Sequence, residues 1–357
     1  MRRACGLARK GHGHVSPNPA VGCVIVSADS EIAGEGWHRQ YGEGHAEVNA
    51  VASVKNRELL RDATVYVTLE PCSHYGKTPP CALMLTELPV KRIVAGSTDP
   101  NPKVSGRGLE MLRQAGKEVV SGVLEAECRA LNPAFLTAQE QQRPYITLKW
   151  ACDANGVMGS TTGERLHFSN AQGELWSHRE RTRHDAIMVG RRTAEADNPR
   201  LDARRWPGHQ PRPIVIGGDG SPLAGSRLAA NSETLWLPHT DDLRAMVTSL
   251  WKEHNISSLL VEGGARLLNA FIDAGLYDRI RVERCPDITE GDVSAPALPA
   301  DVCPVSSMYL GRNKLEIMLR KGKWQLKKVK KHLIFYYFGF LSLLIAAHLS
   351  HFIKFAG

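Results

Sequence analysis

Three side chains with metal-binding chemistry lie in one stretch of this 357-residue chain: His45 at its start, Cys72 and Cys81 at its end. For them to act together, the elements between them must return to one point, and that limits the fold. Residues 46–54 read as a helix with His45 and Glu47 in its first turn. Residues 65–69 (Val-Tyr-Val-Thr-Leu) are β-rich and end at Glu70-Pro71-Cys72, so Cys72 is delivered from a strand end. One histidine and two cysteines suit a catalytic zinc, which keeps a fourth position open for water. Glu47 is near enough to touch that water without binding the metal, so zinc would generate hydroxide and Glu47 would move protons. A lone His-x-Glu means little, and two cysteines alone could be buried apolar thiols. Their conjunction with a strand-to-helix turn points to a catalytic zinc, since a structural one normally closes with four ligands.

Length favours two domains, and a hydrophobic fraction of 43% is enough for packed cores. The eight cysteines are scattered and the amino end lacks the apolar segment of a secretory leader, so a reducing compartment without a disulfide framework is expected. The net charge of +8 is local: seven basic residues from Arg320 to Lys331 supply it, and the rest of the chain carries +1. A general nucleic-acid surface is therefore not expected.

The zinc set is the arrangement of base and nucleoside deaminases, whose second half is usually Pro-Cys-x-x-Cys. Here eight residues separate the cysteines, with Gly76-Lys77-Thr78-Pro79-Pro80 in the gap. That longer loop resembles the deaminase of riboflavin biosynthesis. So do Pro17-Asn18-Pro19-Ala20-Val21-Gly22-Cys23 and Gly34-Glu35-Gly36-Trp37-His38, and the resemblance covers about 1–140. It implies a cytidine-deaminase-like three-layer α/β/α domain over 1–140. Asn18 is expected at the pyrimidine edge, or else as a turn cap between two prolines. His38 and Lys77 are expected in the pocket or at the substrate phosphate, or else as ordinary polar loop residues.

Strands and helices alternate along this part. A helix is expected near 2–10, strands at 21–26, 31–37, 92–96 and 118–120, and helices at 79–88 and 109–115. The polar, Gln-rich residues 138–143 read as a linker. After it, strands at 144–150, 185–190, 213–217 and 257–262, with helices at 170–183 and 241–253, predict a second α/β unit with a parallel sheet over 144–320. This unit resembles the reductase half of the same pathway, a relative of dihydrofolate reductase. The run Arg191-Arg192-Thr193-Ala194-Glu195-Ala196-Asp197-Asn198-Pro199-Arg200-Leu201 and the turn Val261-Glu262-Gly263-Gly264-Ala265-Arg266-Leu267 carry the likeness. A glycine pair before a helix lets backbone N–H groups approach a cofactor phosphate. The resemblance implies that Ala151, His167, Thr193, Asp197, Gly264, Ala265, Arg266 and Leu267 lie along NADPH. It also implies that Arg165, Arg181, Leu201, Arg204 and Glu262 hold a ribose-phosphate substrate. Arginine's planar fork suits phosphate, whereas the plain alternative for Arg181 and Arg204 is a solvated helix face. Two departures stand out: Asn155 precedes Gly156 where the family has aspartate, and Gly217-Gly218 follow a strand usually followed by aspartate.

Residues 321–357 form a basic and then apolar tail. Residues 333–353 hold no acid, Lys or Arg, and their length reaches that of a bilayer span. The function implied is riboflavin biosynthesis in two steps. Zinc-dependent deamination would convert a 2,5-diamino-6-ribosylamino-pyrimidinone 5′-phosphate to its uracil form. NADPH would then reduce the ribosyl group to ribityl. The expected partner is a small phosphorylated pyrimidine, in the cytoplasm, with no nucleic acid, and a homo-oligomer is left open. The competing readings are a deaminase with an impaired reductase half, a polynucleotide deaminase, and a binding protein tethered to a membrane by the tail. The second would need a basic groove with stacking aromatics, which 1–140 lack.

Overall fold

The computed structural model describes residues 1–75, 79–101, 105–162 and 166–321. Helix α1 (Arg2–Ala8) precedes a hairpin of β1 (Gly22–Val26) and β2 (Ile32–Trp37), and α2 (Ala46–Ala52) follows. Then come β3 (Thr64–Leu69), α3 (Cys81–Glu87), β4 (Arg92–Ser97), α4 (Arg107–Gln114) and β5 (Glu118–Val120). The first sheet has the order β2-β1-β3-β4-β5, with β1 antiparallel to both neighbours and β3, β4 and β5 parallel. Its centre is Cys23, Ile25, Val65 and Ile93, all 0% exposed, packed on Ala46 and Ala50 of α2 and Leu85 of α3. Helix α2 lies directly on the β2 backbone: a Cβ on Gly36 would come within 2.3 Å of Ala50 N and 2.5 Å of Ala46 O. This close seating fixes the start of α2, and His45 with it.

Two helices close this half, α5 (Glu125–Arg129) and α6 (Pro133–Gln141). The expected linker at 138–143 is a correction: α6 runs through Gln141, so little more than Gln142 and Arg143 joins it to the next strand. Leu136, Thr137 and Ala138 are buried, and this packing outweighs the polar composition that suggested a linker.

The second half continues with β6 (Tyr145–Cys152), β7 (Val157–Gly159), α7 (Ala171–Arg181), β8 (Ala186–Gly190), α8 (Arg191–Asp197), β9 (Arg212–Ile216) and β10 (Leu235–Leu237). Then follow α9 (Leu243–Lys252), β11 (Ser258–Val261), α10 (Ala265–Asp273), β12 (Arg279–Arg284), β13 (Val293–Ser294), β14 (Val302–Leu310) and β15 (Asn313–Arg320). The eight-stranded sheet has the order β10-β9-β8-β11-β6-β12-β15-β14. The four strands expected to form a parallel sheet, β6, β8, β9 and β11, do pair in parallel, and β15 and β14 extend that sheet as an antiparallel pair beside β12. Their alternating exposure marks one solvent face, which antiparallel strands tolerate and the buried parallel ones do not. Asp185, at the entry to β8, accepts from Ser257 N at 2.8 Å and Ser258 N at 3.0 Å. It also accepts from Ser16 Oγ of the first half at 2.5 Å. The apolar segment 333–353 lies outside the described residues. Among those described, no helix is long and apolar enough to cross a membrane.

Candidate active sites

In the first half, His45 is the N-cap of α2, Cys72 follows β3, and Cys81 is the first residue of α3. His45 Nδ1 stands 3.5 Å from Cys72 Sγ and 3.4 Å from Cys81 Sγ. The three donor atoms all lie within 4.8 Å of one another. The Cys81 amide donates to Cys72 Sγ at 3.2 Å. The contact with the Cys81 thiol, opposed by burial and helped by His45, brings Cys72 down to about 4. The same contact and burial push Cys81 well up. A soft His/Cys/Cys set brought to one point fits zinc, with room in its coordination for a fourth, non-protein ligand.

Glu47 sits in the first turn of α2 and is 3% exposed. Burial, and then the Cys72 charge, push its carboxyl up to about 7, and a cation at the cluster would oppose that push. His38 is 2% exposed and its ring meets His45 edge-on at 5.4 Å. Its Nδ1 lies 3.2 Å from Gly44 O, which can only accept. Nε2 therefore accepts from Asn18 Nδ2 at 3.2 Å. Both ring nitrogens are used, so His38 is a buried wall that orients Asn18, with no nitrogen left for a phosphate. Lys77 lies outside the described residues.

Sequence reasoning passed over Glu70. Its carboxylate is 4% exposed and, among the described residues, receives four backbone N–H groups: Asp99 at 3.2 Å, Gly106 at 3.0 Å, Gly108 at 3.0 Å and Leu109 at 3.4 Å. It ties the arm bearing Cys72 to the start of α4, where a Cβ on Gly108 would meet Pro71 O at 2.1 Å. The signal was a carboxylate two residues before a ligand, at the buried end of a strand.

In the second half, a cleft of about 1310 Å³ opens beside the carboxyl ends of β6, β8 and β11. Ala151, His167, Thr193, Asp197, Gly264, Ala265, Arg266 and Leu267 line it, and so do Arg181, Leu201, Arg204 and Glu262. Arg165 lies outside the described residues. Gly264 is the N-cap of α10, and a Cβ there would sit 3.3 Å from Thr193 Oγ1, leaving backbone open to the cleft. Arg191, Arg192, Arg200 and Arg227 add cations to the lining. A long cleft with an open helix start and surrounding arginines fits a phosphate-bearing dinucleotide such as NADPH.

Arg181 is no solvated helix face: its side chain is 16% exposed and its Nη2 is 2.7 Å from Glu262 Oε2. Burial raises the Glu262 carboxyl, but Arg181 and Lys149 outweigh it and hold Glu262 down at about 2. Arg204 is half-exposed, pairs with Asp202, and lies in a turn rather than on a helix. Leu201 has φ 56° and its side chain is buried with Ile187 and Val189, in the core rather than free in the cleft. At the first departure Asp153, not residue 155, organises the turn, accepting from Asn155 N at 2.9 Å, Val157 N at 2.8 Å and Thr289 N at 2.9 Å. At the second, Gly217 and Gly218 take φ 129° and 64° against the Arg191 side chain.

The sequence model of the cytidine and deoxycytidylate deaminase zinc-binding region matches residues 1–97, and that of the RibD C-terminal domain matches 144–302. The riboflavin biosynthesis protein RibD of Actinobacillus pleuropneumoniae is 39% identical over 318 residues, covering 82% of this chain and 84% of that one. The chain belongs to the RibD family. RibD of Escherichia coli K12 is 35% identical over 328 residues, covering 82% of this chain and 88% of its own. Among solved structures, Acinetobacter baumannii RibD superposes with a TM-score of 0.81 at 30% identity, over 90% of this chain and 98% of that one. A Thermotoga maritima diaminohydroxyphosphoribosylaminopyrimidine deaminase/5-amino-6-(5-phosphoribosylamino)uracil reductase gives 0.79 at 32% identity, over 90% and 97%. As a RibD protein, the chain is a bifunctional enzyme of riboflavin biosynthesis. Its cytidine-deaminase-like half is a zinc-dependent deaminase, and its dihydrofolate-reductase-like half is an NADPH-dependent reductase.

Proposed function

We propose that residues 1–140 deaminate the 2,5-diamino-6-ribosylamino-pyrimidinone 5′-phosphate and that residues 144–320 reduce the ribosyl group of the resulting aminouracil. The observation that carries the first step is the convergence of His45 Nδ1, Cys72 Sγ and Cys81 Sγ within 4.8 Å, beside buried Glu47. These three residues would hold zinc, which when bound supplies a Lewis acid that lowers the pKa of a water. Glu47 takes a proton from the attacking water and returns it to the exocyclic nitrogen, which leaves as ammonia. Its enclosed carboxyl, two residues from His45 and outside the ligand set, is placed to act as general acid and base. Asn18, oriented by His38, holds the pyrimidine edge, and Lys77 contacts the substrate near its phosphate.

In the second step NADPH, when bound, supplies a hydride to the opened ribosyl carbon. Thr193, Asp197, Ala151, His167 and the start of α10 from Gly264 to Leu267 hold the cofactor along the cleft. Arg165, Arg181, Arg204, Glu262 and the Leu201 backbone hold the ribose phosphate. The Arg181–Glu262 pair fixes the arginine fork before substrate arrives, so little ordering remains to be done on binding. The enzyme works on a small molecule in the cytoplasm, without nucleic acid. Ammonia release from the phosphorylated diaminopyrimidine tests the first step: chelation should abolish it and added zinc restore it. Ammonia release that ignores chelation in a zinc-free sample would refute the reading.

A further inference from the structure

Cys5 of α1 and Cys128 of α5 lie 123 positions apart in sequence, yet their sulfurs stand 3.6 Å apart. Both residues are 1% exposed. Each helix is seated on a different strand. A Cβ on Gly22 of β1 would collide with Ala4 O of α1, and a Cβ on Gly96 of β4 would collide with Cys128 Sγ itself. Strand β3 separates β1 from β4 in the sheet, so the sulfur contact joins two helices held by strands that are not neighbours. Ala8 and Leu131 complete the small buried cluster around it. The nearby approach of Arg2 to Glu127, at 4.0 Å with the arginine 68% exposed, adds little to the join.

A disulfide holds its sulfurs about 2.0 Å apart. Closing from 3.6 Å asks these two to approach by about 1.6 Å, within reach of a side-chain rotation and a slight shift of one short helix. Buried thiols react slowly with oxidants. Here α1 has seven residues and no side-chain hydrogen bond at its N-cap, so local opening of the helix admits a water-sized oxidant.

We propose that Cys5 and Cys128 form an oxidation site, joined by a peroxide in a reversible disulfide that clamps α1 to α5. In a reducing compartment the two thiols are the resting form, and the bond forms when peroxide rises. With hydrogen peroxide the step balances. One sulfur attacks a peroxide oxygen and the O–O bond breaks; the departing hydroxide takes the thiol proton and leaves as water. The second sulfur attacks the resulting sulfenic acid, the S–S bond forms and the S–O bond breaks. The hydroxyl takes the second thiol proton and leaves as water. The two sulfurs together lose two electrons and the peroxide gains them. The closed loop runs from residue 5 to residue 128 and encloses His45, Glu47, Glu70, Cys72 and Cys81. A cross-link around that whole segment restricts the unfolded chain and so steadies the fold that carries the metal set.

The test uses the full-length protein with its zinc bound, treated with a modest excess of hydrogen peroxide. Remaining thiols are then blocked and the peptides mapped by mass spectrometry. A peptide pair linked through Cys5 and Cys128 should appear, and dithiothreitol should abolish it. The temperature at which zinc is released should rise by about 10 °C in the oxidised protein and return on reduction. Cys5→Ala and Cys128→Ala should each remove the rise. Cys5 and Cys128 recovered as free thiols after treatment, or oxidised separately without a link, would overturn the proposal. So would a link between Cys72 and Cys81 with Cys5 and Cys128 still free. A mapped link that leaves the zinc-release temperature unchanged would refute the clamp. If the variants do not fold, the peptide map and the reversible shift of the parent protein decide.

Discussion

Glu70→Gln exchanges one carboxylate oxygen for an amide nitrogen that can only donate. Of the four N–H groups received by Glu70, Asp99 and Gly106 meet Oε2, and Gly108 and Leu109 meet Oε1. Whichever way the new amide turns, two backbone donors face another donor in a site that is 4% exposed. Hydrogen bonds to a charged group are worth about 1.5–3 kcal/mol each, and an unsatisfied buried donor costs about 1–3 kcal/mol. Allowing for relaxation, the variant should lose about 3–5 kcal/mol, a large part of the roughly 5–15 kcal/mol that holds a domain together. The same change loosens the arm that bears Cys72. Urea unfolding followed by zinc release, with parent and variant compared at equal metal loading, measures both effects. A loss below about 1 kcal/mol, with zinc held as tightly as in the parent, would refute the reasoning that Glu70 anchors this arm.

Glu47→Gln should keep zinc and lose deamination by about 10²-fold to 10⁴-fold, the usual worth of a positioned proton carrier; turnover near the parent rate would remove Glu47 from the mechanism. Cys81→Ser should drop bound zinc well below one per chain and destabilise the deaminase half, because metal binding couples to folding; full zinc on metal analysis would refute the ligand set. His184 is 3% exposed, with Nδ1 2.9 Å from Glu180 O and Nε2 3.0 Å from Thr147 Oγ1. Burial brings it down to about 4, so it is neutral and its 3.8 Å approach to the Glu180 carboxylate is not an ion pair at neutral pH. Since the folded value is depressed below about 6.5, the folded state prefers neutral imidazole, and its stability falls as pH drops from about 6.5 to 4, by up to about 3 kcal/mol. His184→Gln should flatten that part of the pH–stability curve measured by denaturant unfolding; an unchanged slope would show that other groups set it.

The parts legible in the sequence were those whose signal is local. Strand β3 ending just before the Glu70-Pro71-Cys72 arm, helix α2 starting after its cap His45 and the Gly263-Gly264 turn into α10 are each read from a few consecutive residues, and the fold has them at those places. The metal set was legible because its residue types are chemically restrictive. Helix α6 was missed because its polar, Gln-rich sequence is made helical by burial of Leu136 and Ala138, which depends on the rest of the fold. Strands β14 and β15 were missed as an antiparallel addition because register and direction are set by pairing with β12, not by composition. Glu70 was missed because its donors lie 29 to 39 residues away and come together only after β4 and α4 are in place. The buried Glu180, with Arg279 and Arg281 beside it, was missed for the same reason: on a helix pattern an acid reads as surface, and only the partners from β12 show otherwise.

The central claim, that one chain carries out both steps in order, is tested most directly by following ammonia release and NADPH oxidation together on one purified sample of the full-length protein. Given the phosphorylated diaminopyrimidine, ammonia should appear first and NADPH oxidation should follow with a lag that disappears when the deaminated product is supplied instead. Glu47→Gln should block NADPH oxidation from the first substrate and leave it intact from the second. NADPH oxidation that starts without deamination, or that never occurs with the deaminated product, would contradict the account.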